Sequence, residues 1–267
     1  GRGGSIGIGG IAVVLIGYFV FGIDPATLLN AVQDGGGSSY TQEAGQQGKP
    51  ADQEGKFVDV ILTSTSKVWT GLLRGSKVQY RQPQPLVLYT QATGTACGTG
   101  QSAMGPFYCP SDERIYIDLD FFNELSSRYG APGDFAKAYV IAHEVGHHVQ
   151  KVLGTAAKVQ SAMRNAGSKA EANRYSVALE LQADCYAGVW AANAPSVSNG
   201  SISIDRSDLE DGLTAAKAIG DDTLQRKAQG RVVPDSFTHG TSAQRMQWLR
   251  RGYDSGDPAQ CNTFASQ

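Results

Sequence analysis

A short histidine motif constrains this chain more than any other stretch of its 267 residues. Residues 143–147 read His-Glu-Val-Gly-His, the pattern H-E-x-x-H, inside a segment with helical signals. On a helix, side chains four positions apart project from one face, so His143 and His147 can both reach one Zn²⁺ at about 2.0–2.1 Å. Glu144 points about 100° round from His143, where it is badly placed as a ligand but well placed to polarise an attacking water. The motif therefore predicts the site of a metalloprotease.

The ends and faces of the motif helix can also be predicted. Asp134 can cap its start, and Gly154 can end it in the left-handed conformation. Histidines on a helix are often core residues, but here the apolar stripe lies on a different face. Its members are Ala138, Ile141, Ala142, Val145, Val149 and Val152. His148 falls between the two faces, and we interpret it as a surface histidine or as one that supports a ligand.

A carboxylate pair in a later predicted helix, residues 168–193, offers the third ligand. Glu180 and Asp184 are four positions apart and share one helical face with the small residues Ala187 and Gly188, which favour a close approach to the motif helix. Glu180 would complete a His₂Glu site and leave a fourth position for water. Asp184 could accept the ring N–H of a ligand histidine and fix its tautomer. Alone, the pair could be a solvated acidic face; beside H-E-x-x-H, the ligand interpretation is the better one.

These two motifs resemble the gluzincin metallopeptidases, and the wider sequence resembles the bacterial family called putative neutral zinc metallopeptidases. The resemblance runs through nearly the whole chain, including its hydrophobic N-terminus. It is carried by Gly105-Pro106-Phe107-Tyr108-Cys109-Pro110, Ile115-Tyr116-Ile117-Asp118, residues 143–147, residues 180–186 and Phe237-Thr238-His239-Gly240. The resemblance implies His143, His147 and Glu180 as ligands of Zn²⁺ and Glu144 as the general base. The expected substrate is a peptide or protein.

His239 is the candidate donor to the oxyanion that forms during peptide hydrolysis. Gluzincins usually place a His or Tyr donor beyond the third ligand, and His239 lies two residues before a capping box that begins at Thr241. Tyr186 and Arg245 are weaker candidates for this role. The alternative is that His239 is an exposed loop histidine.

The remaining pattern predicts an α+β fold: a mainly helical, zincin-like catalytic domain with a small sheet. Apolar residues recur at helical spacing over residues 57–73. Residues 85–89 and 115–119 are predicted strands, and further helices are predicted over residues 207–219, 221–229 and 241–251. In gluzincins, a strand before the motif helix pairs with the substrate backbone. Residues 115–119 could do so through a free edge, or could be an ordinary sheet strand.

The N-terminal part of the chain has the composition of a membrane anchor. Residues 6–23 carry no charge and are rich in Ile, Val, Leu, Phe and Gly. We predict an uncleaved anchor over residues 1–25, a flexible linker over residues 26–56 and a metallopeptidase domain over residues 57–267. A cleaved signal peptide is the alternative, but no small-x-small cleavage site follows. Arg2 favours a cytoplasmic N-terminus. We therefore expect a single-pass protein of the inner (cytoplasmic) membrane with an extracytoplasmic catalytic domain, periplasmic or at the cell surface.

The four cysteines agree with an oxidising compartment. Cys97 and Cys109 bracket a Gly-rich loop that could close into a disulfide, which would leave Cys185 to join Cys261. Four cysteines allow three pairings, and spacing alone does not choose between them. We predict Cys97–Cys109 and Cys185–Cys261, because free thiols would indicate a cytosolic domain.

Charge and composition narrow the function classes further. The net charge is −2, charged residues make up 18% of the chain and there is no basic patch, so nothing indicates nucleic acid as a partner. The first hypothesis is a membrane-tethered zinc metallopeptidase. The alternative is a catalytically inactive zinc-containing domain that binds envelope partners. Glu144 beside an open fourth position favours the enzyme, because structural zinc sites usually have four protein ligands.

Overall fold

The computed structural model describes residues 46–47, 53–89, 92–101 and 105–265. The predicted anchor and most of the predicted linker lie outside these residues, so the division into anchor, linker and domain stays a prediction. Two pieces of the predicted linker are structured, since Gln46–Gln47 forms a strand and residues 53–56 begin the first helix. Among the described residues, no helix combines the length and the apolar character needed to cross a membrane.

Eight α-helices and six short strands make up the described part of the chain, which confirms the mainly helical α+β prediction. The strands are β1 Gln46–Gln47, β2 Gln84–Tyr89, β3 Ala92–Thr95, β4 Gly98–Gln101, β5 Phe107–Cys109 and β6 Arg114–Asp118. The helices are α1 Gln53–Leu72, α2 Leu119–Ser127, α3 Asp134–Val152, α4 Thr155–Asn165, α5 Lys169–Val197, α6 Arg206–Ala218, α7 Asp221–Gln229 and α8 Ser242–Ser255. Two 3₁₀ turns, Pro234–Ser236 and Pro258–Gln260, flank α8.

The main sheet has four strands in the order β1-β2-β6-β5. Strand β6 pairs in parallel with β2 and antiparallel with β5, so it is an interior strand. The expectation that residues 115–119 offer a free edge is therefore wrong. Within the described residues, the sheet edge beyond β6 is β5. Side chains alternate along β6: Ile115 and Ile117 enter the main helical core, whereas Tyr116 packs on the other face with Phe107.

Helix α3, which carries the histidine motif, lies very close to α5. A Cβ atom on Gly146 would lie 3.1 Å from the Ala183 backbone, so a larger residue would push the two helices apart by a few tenths of an ångström. The crossing point falls between the two histidines of α3 and next to the carboxylates of α5. Gly146 is thus the residue of the motif that lets the ligand-bearing faces of the two helices converge.

Gly188 has a different role from the predicted one. It does not face α3: a Cβ there would lie 2.1 Å from the carbonyl oxygen of Leu249, on α8. The facing residue on α8 is Gly252, where a Cβ would lie 1.9 Å from the Cys185 carbonyl oxygen. This glycine–glycine contact presses α8 against α5. It lets Arg245, near the start of α8, reach Asp184 of α5.

The helix ends agree with the sequence in two of three cases. Gly154 is left-handed (φ 77°) just beyond α3, and the predicted capping box of Thr241 with Gln244 opens α8. The prediction for Asp134 is wrong. Asp134 is the first residue of α3, and Gly133 (φ 118°) takes the capping position without a side-chain hydrogen bond.

Candidate metal centre

Three predicted ligands meet where α3 crosses α5. The Nε2 atom of His143 lies 3.2 Å from Nε2 of His147 and 3.1 Å from Oε2 of Glu180. His147 Nε2 lies 3.4 Å from the other carboxylate oxygen of Glu180. One donor atom from each residue falls in a cluster in which all of the atoms lie within 4.8 Å of one another. Among the described residues, this is the group of His, Cys, Asp or Glu side chains that could hold a metal ion.

This donor set fits zinc. Ligands at about 2.0–2.1 Å in a tetrahedron lie roughly 3.3 Å apart, which matches the observed separations of 3.1–3.4 Å. Two imidazole nitrogens and one carboxylate oxygen are ligands that zinc prefers, and three protein ligands leave the fourth position open. The arrangement also concentrates negative potential. Although burial lowers the pKa of His147, the Glu180 carboxylate raises it to about 9 overall.

His143 is held by a buried charged cluster. Its Nδ1–H donates to Oδ1 of Asp184 at 2.8 Å, as predicted for that carboxylate. Arg245 of α8 donates to both Asp184 oxygens at 2.9 Å, and the Tyr139 hydroxyl donates to Oδ1 at 2.6 Å. Burial raises the pKa of Asp184, but the Arg245 guanidinium and His143 lower it to about 2 overall. Asp184 therefore stays ionised and fixes the His143 tautomer with Nε2 bare.

His147 is held by neutral groups instead. Its Nδ1–H donates to Oε1 of Gln150 at 2.9 Å, and Gln150 is fully buried. The sequence analysis missed Gln150. The signal available was its position three residues after His147, on the same face of the helix.

Glu144 lines the cleft together with the three candidate ligands and is only 7% exposed. Burial raises the pKa of its carboxyl group above the ordinary value, and the neighbouring histidines partly offset this. The structure thus places the predicted base with the ligands but not among them.

The cleft has a volume of about 240 Å³ and is bounded by two kinds of residue. Its polar lining residues include the three candidate ligands, Glu144 and His239. Its walls are mostly aromatic and aliphatic, formed by Phe107, Tyr108, Phe121, Tyr129, Val140, Ile219 and Leu224. Strand β5, the edge of the sheet, forms one rim.

Comparison with known proteins agrees with this site. The model of the family described as "Putative neutral zinc metallopeptidase" matches residues 1–264. The chain belongs to this family. It is 50% identical to the Escherichia coli K12 protein YpfJ over 264 residues, which cover 99% of this chain and 87% of YpfJ. It is 41% identical to Rv2575 of Mycobacterium tuberculosis H37Rv over 222 residues, covering 79% and 72% of the two chains. No solved structure shows a significant match.

Family and geometry together identify the cofactor as Zn²⁺. The family is one of zinc metallopeptidases, and the His-His-Glu cluster is a compatible metal site. At this coarse level the chain is a peptidase, which implies peptide or protein substrates. The individual roles of the site residues belong to the proposal below.

His239 lies in the cleft, at the end of a turn that Asp221 organises. One carboxylate oxygen of Asp221 accepts the backbone N–H groups of Thr238, His239 and Gly240 at 2.7–3.0 Å. Its other oxygen lies 3.3 Å from Nδ1 of His239. Burial lowers the pKa of His239, but the Glu180 and Asp221 carboxylates outweigh this and raise it above the ordinary value. Sequence reasoning missed Asp221, which is 18 residues earlier and is also the first residue of α7.

The two weaker candidates for the His239 role are placed differently. Tyr186 is buried against Trp69, with ring centroids 5.0 Å apart, and is absent from the cleft lining. Arg245 borders the cleft, but its guanidinium is engaged by Asp184, Tyr139 and the Ile219 carbonyl. The His239 side chain, in contrast, lines the cleft and is 28% exposed.

His148 is not a surface residue, so that part of its interpretation is wrong. It is fully buried and joins two elements at the rim of the cleft. Its Nε2–H donates to the Arg81 carbonyl at 2.7 Å, and the Tyr108 hydroxyl of β5 donates to its Nδ1 at 2.9 Å. Burial lowers the pKa of His148 to about 4. A neutral His148 therefore attaches the edge strand to the motif helix.

The structure contains the disulfides Cys97–Cys109 and Cys185–Cys261, the two pairs predicted. The first joins the β3–β4 turn to β5, at the rim of the cleft. The second joins α5, one residue after Asp184, to the C-terminal segment. Cys109 directly follows Tyr108, which lines the cleft, and Cys185 directly follows Asp184.

Proposed function

We propose that this chain hydrolyses peptide bonds as an H-E-x-x-H peptidase of the gluzincin type with a zincin-like fold. In this proposal His143, His147 and Glu180 hold the zinc, and Glu144 is the general base. The observation that carries it is the convergence of three ligand atoms in a cleft that Glu144 also lines. The tight crossing at Gly146 supports it, because that contact positions the α3 and α5 ligands together.

The chain's own residues would handle protons and charge in the reaction. Bound zinc supplies a Lewis acid that polarises the scissile carbonyl and favours ionisation of the attacking water. Glu144 accepts the proton that this water loses as it attacks the carbonyl carbon, then donates it to the leaving amine as the C–N bond breaks. His239, backed by Asp221, donates from Nε2 to the carbonyl oxygen while negative charge develops there.

The cleft walls support a substrate preference within this proposal. Eight of the lining residues, counting Tyr139, are aromatic or aliphatic, and β5 offers a strand edge for an extended peptide. We expect peptides with a large apolar side chain beside the scissile bond to be cleaved fastest. A peptide series with Phe, Leu, Ala or Asp at each flanking position would measure this preference, and fastest cleavage of the Asp peptides would contradict it.

Placement in the cell is part of the same proposal. The two disulfides support an oxidising compartment, and the apolar composition of residues 6–23 supports a membrane anchor. Non-reducing peptide mapping of protein isolated from cells should recover both bridges. Four free thiols would contradict the extracytoplasmic placement.

Zinc content and cleavage of an unstructured protein together test the activity. The parent protein should cleave such a substrate, lose activity with a chelator and regain it with zinc. Glu144→Gln should retain zinc and the fold but lose hydrolysis, since only proton transfer is removed. Equal activity of parent and variant would overturn the mechanism. Zinc binding without cleavage of any unstructured protein would instead favour the inactive interaction domain.

His239→Ala tests the donor. Zinc occupancy should stay at the parent level, while kcat falls about 10²–10³-fold, the usual cost of losing one oxyanion donor. A loss under threefold would assign the role elsewhere. Loss of zinc would make His239 a ligand.

A further inference from the structure

Two buried glutamines connect the ligand His147 to the C-terminal segment of the chain. Gln150 Nε2 donates to the Leu179 carbonyl at 2.6 Å and to Oε1 of Gln182 at 3.2 Å. Gln182 Nε2 donates in turn to the Cys261 carbonyl at 3.0 Å. Gln150 is fully buried and Gln182 is 7% exposed. The contacts therefore form a continuous row from Cys261 to the ring of His147.

The Cys261 carbonyl, at the far end of the row, fixes which group donates and which accepts in every hydrogen bond of the row. A backbone carbonyl can only accept, so Gln182 must turn its NH₂ group toward Cys261 and its oxygen toward Gln150. Gln150 then presents its NH₂ group to Gln182 and its oxygen to His147. The Leu179 carbonyl imposes the same orientation on Gln150. A neutral His147, the form that binds a metal, must therefore carry its single proton on Nδ1, which leaves Nε2 bare and directed at the ligand cluster.

The far end of the row is anchored covalently. Cys261 is bonded to Cys185 of α5, and the Thr263 hydroxyl donates to the Ala178 carbonyl of the same helix at 2.5 Å. The segment that supplies the fixed carbonyl is thus fastened on both sides of Gln182. The helix that receives it also carries Glu180.

We propose that Gln150 is a positioning residue for the zinc ligand His147, and that Gln182 and the disulfide-anchored C-terminal segment set its orientation. This inference rests on the proposed function in one respect, that His147 is a ligand. The row selects the tautomer of His147 and limits the rotation of its ring. Groups of this kind usually change metal affinity by about 10–100-fold when they are removed.

Zinc dissociation constants, measured by competition with a chromophoric chelator, test the positioning role. Gln150→Leu should weaken binding by about 10–100-fold. Gln150→Glu should restore most of the affinity, because a neutral glutamic acid keeps an acceptor for His147 and a donor for Leu179. Gln182→Leu leaves the Leu179 contact and should weaken binding only about 2–10-fold, the range for one hydrogen bond.

Gln225→Leu is the matched control. Gln225 is 1% exposed and bonds to Ser236 and to the backbone of Val233, away from the ligands. It should lower thermal stability as Gln150→Leu does but leave the zinc dissociation constant unchanged. If Gln150→Leu and Gln225→Leu bind zinc equally well, Gln150 has only a structural role and the inference is wrong. If Gln150→Leu does not fold, Gln182→Leu and Gln150→Glu make the same comparison.

The Cys185–Cys261 disulfide provides an independent test of the role of the C-terminal segment. Replacing Cys185 and Cys261 together by Ser should weaken zinc binding about 2–10-fold, because the Cys261 carbonyl is no longer held in place. Replacing Cys97 and Cys109 should not change it. Equal affinities in the two double variants would remove the C-terminal segment from the proposal.

His147→Ala separates this inference from the proposed function. Unchanged zinc binding in that variant would show that His147 is no ligand, and the proposed function would fail. Loss of zinc in His147→Ala together with full affinity in Gln150→Leu would overturn the positioning role alone. In the zinc-loaded parent, NMR should also show a slowly exchanging Nδ1 proton on His147 that exchanges faster in Gln150→Leu.

Discussion

The two histidines that we propose as zinc ligands are four residues apart on one helix, yet their ring Nδ1 atoms meet different kinds of partner. His143 donates to Asp184, which is fully buried and paired with the buried Arg245. His147 donates to Gln150, a neutral amide. Gln150 is the first of a row of hydrogen-bonded groups that continues through Gln182 to the Cys261 carbonyl. Each arrangement fixes the same tautomer. Asp184 does so as a charged carboxylate, and Gln150 does so as a neutral hydrogen-bond acceptor.

The difference lies in what the removal of one member leaves behind. Asp184 and Arg245 compensate each other's charge in the interior, so losing either leaves a buried ion without a partner. Losing a glutamine leaves only an unmatched dipole, which costs less. We infer that the His143 side couples zinc binding to the stability of the whole domain. The His147 side couples zinc binding to the C-terminal segment, at a smaller energetic cost.

Arg245→Met should have the largest effect on stability. It strands the Asp184 carboxylate in the core and should lower the free energy of unfolding of the zinc-free protein by about 3–5 kcal/mol. Urea unfolding measures this. Arg250→Met is the matched control on the same helix, because the Arg250–Glu210 pair is 47% and 55% exposed and should contribute under about 1 kcal/mol. Similar losses in the two variants would show that burial does not strengthen the inner pair.

Asp184→Asn should have the next largest effect and should act on zinc. The amide cannot match a carboxylate that accepts from His143, Arg245 and Tyr139 at once. Zinc affinity should fall by about 10–100-fold, and at least as far as in Gln150→Leu. Chelator competition measures both variants. A smaller loss in Asp184→Asn than in Gln150→Leu would reverse the comparison between the charged and neutral sides.

Sequence periodicity was enough to find the candidate ligands but not the residues that hold them in place. His143, His147, Glu180 and Asp184 repeat at four-residue spacing on two helices, so local geometry alone places them. Arg245 lies 61 residues from Asp184 and reaches it only because Gly188 and Gly252 let α8 lie against α5. No local sequence pattern predicts such a contact.

The prediction of a free sheet edge at residues 115–119 was wrong for a similar reason. Residues 115–119 have the alternation of any half-buried strand, and alternation does not say which neighbours pair with it. The parallel pairing of β6 with β2 joins residues about 30 positions apart in the chain, and it is this pairing that makes β6 interior. The edge at the cleft is instead the three-residue β5, too short for a periodic signal.

Tyr139→Phe should have the smallest effect and tests how far the charged side extends. Its hydroxyl donates to Asp184 Oδ1 at 2.6 Å and accepts from Arg245 at 3.0 Å, while its ring packs in the core. Phenylalanine keeps the ring and leaves Asp184 with both His143 and Arg245. We expect a loss of about 1–2 kcal/mol in the free energy of unfolding and zinc affinity within about threefold of the parent. Tyr116→Phe, which removes a 2.7 Å bond to Asp112 on the sheet, is the matched control for stability. If Tyr139→Phe loses zinc as severely as Asp184→Asn, the hydroxyl and not the ion pair sets the orientation of His143, and the contrast between the two histidines is not one of charge.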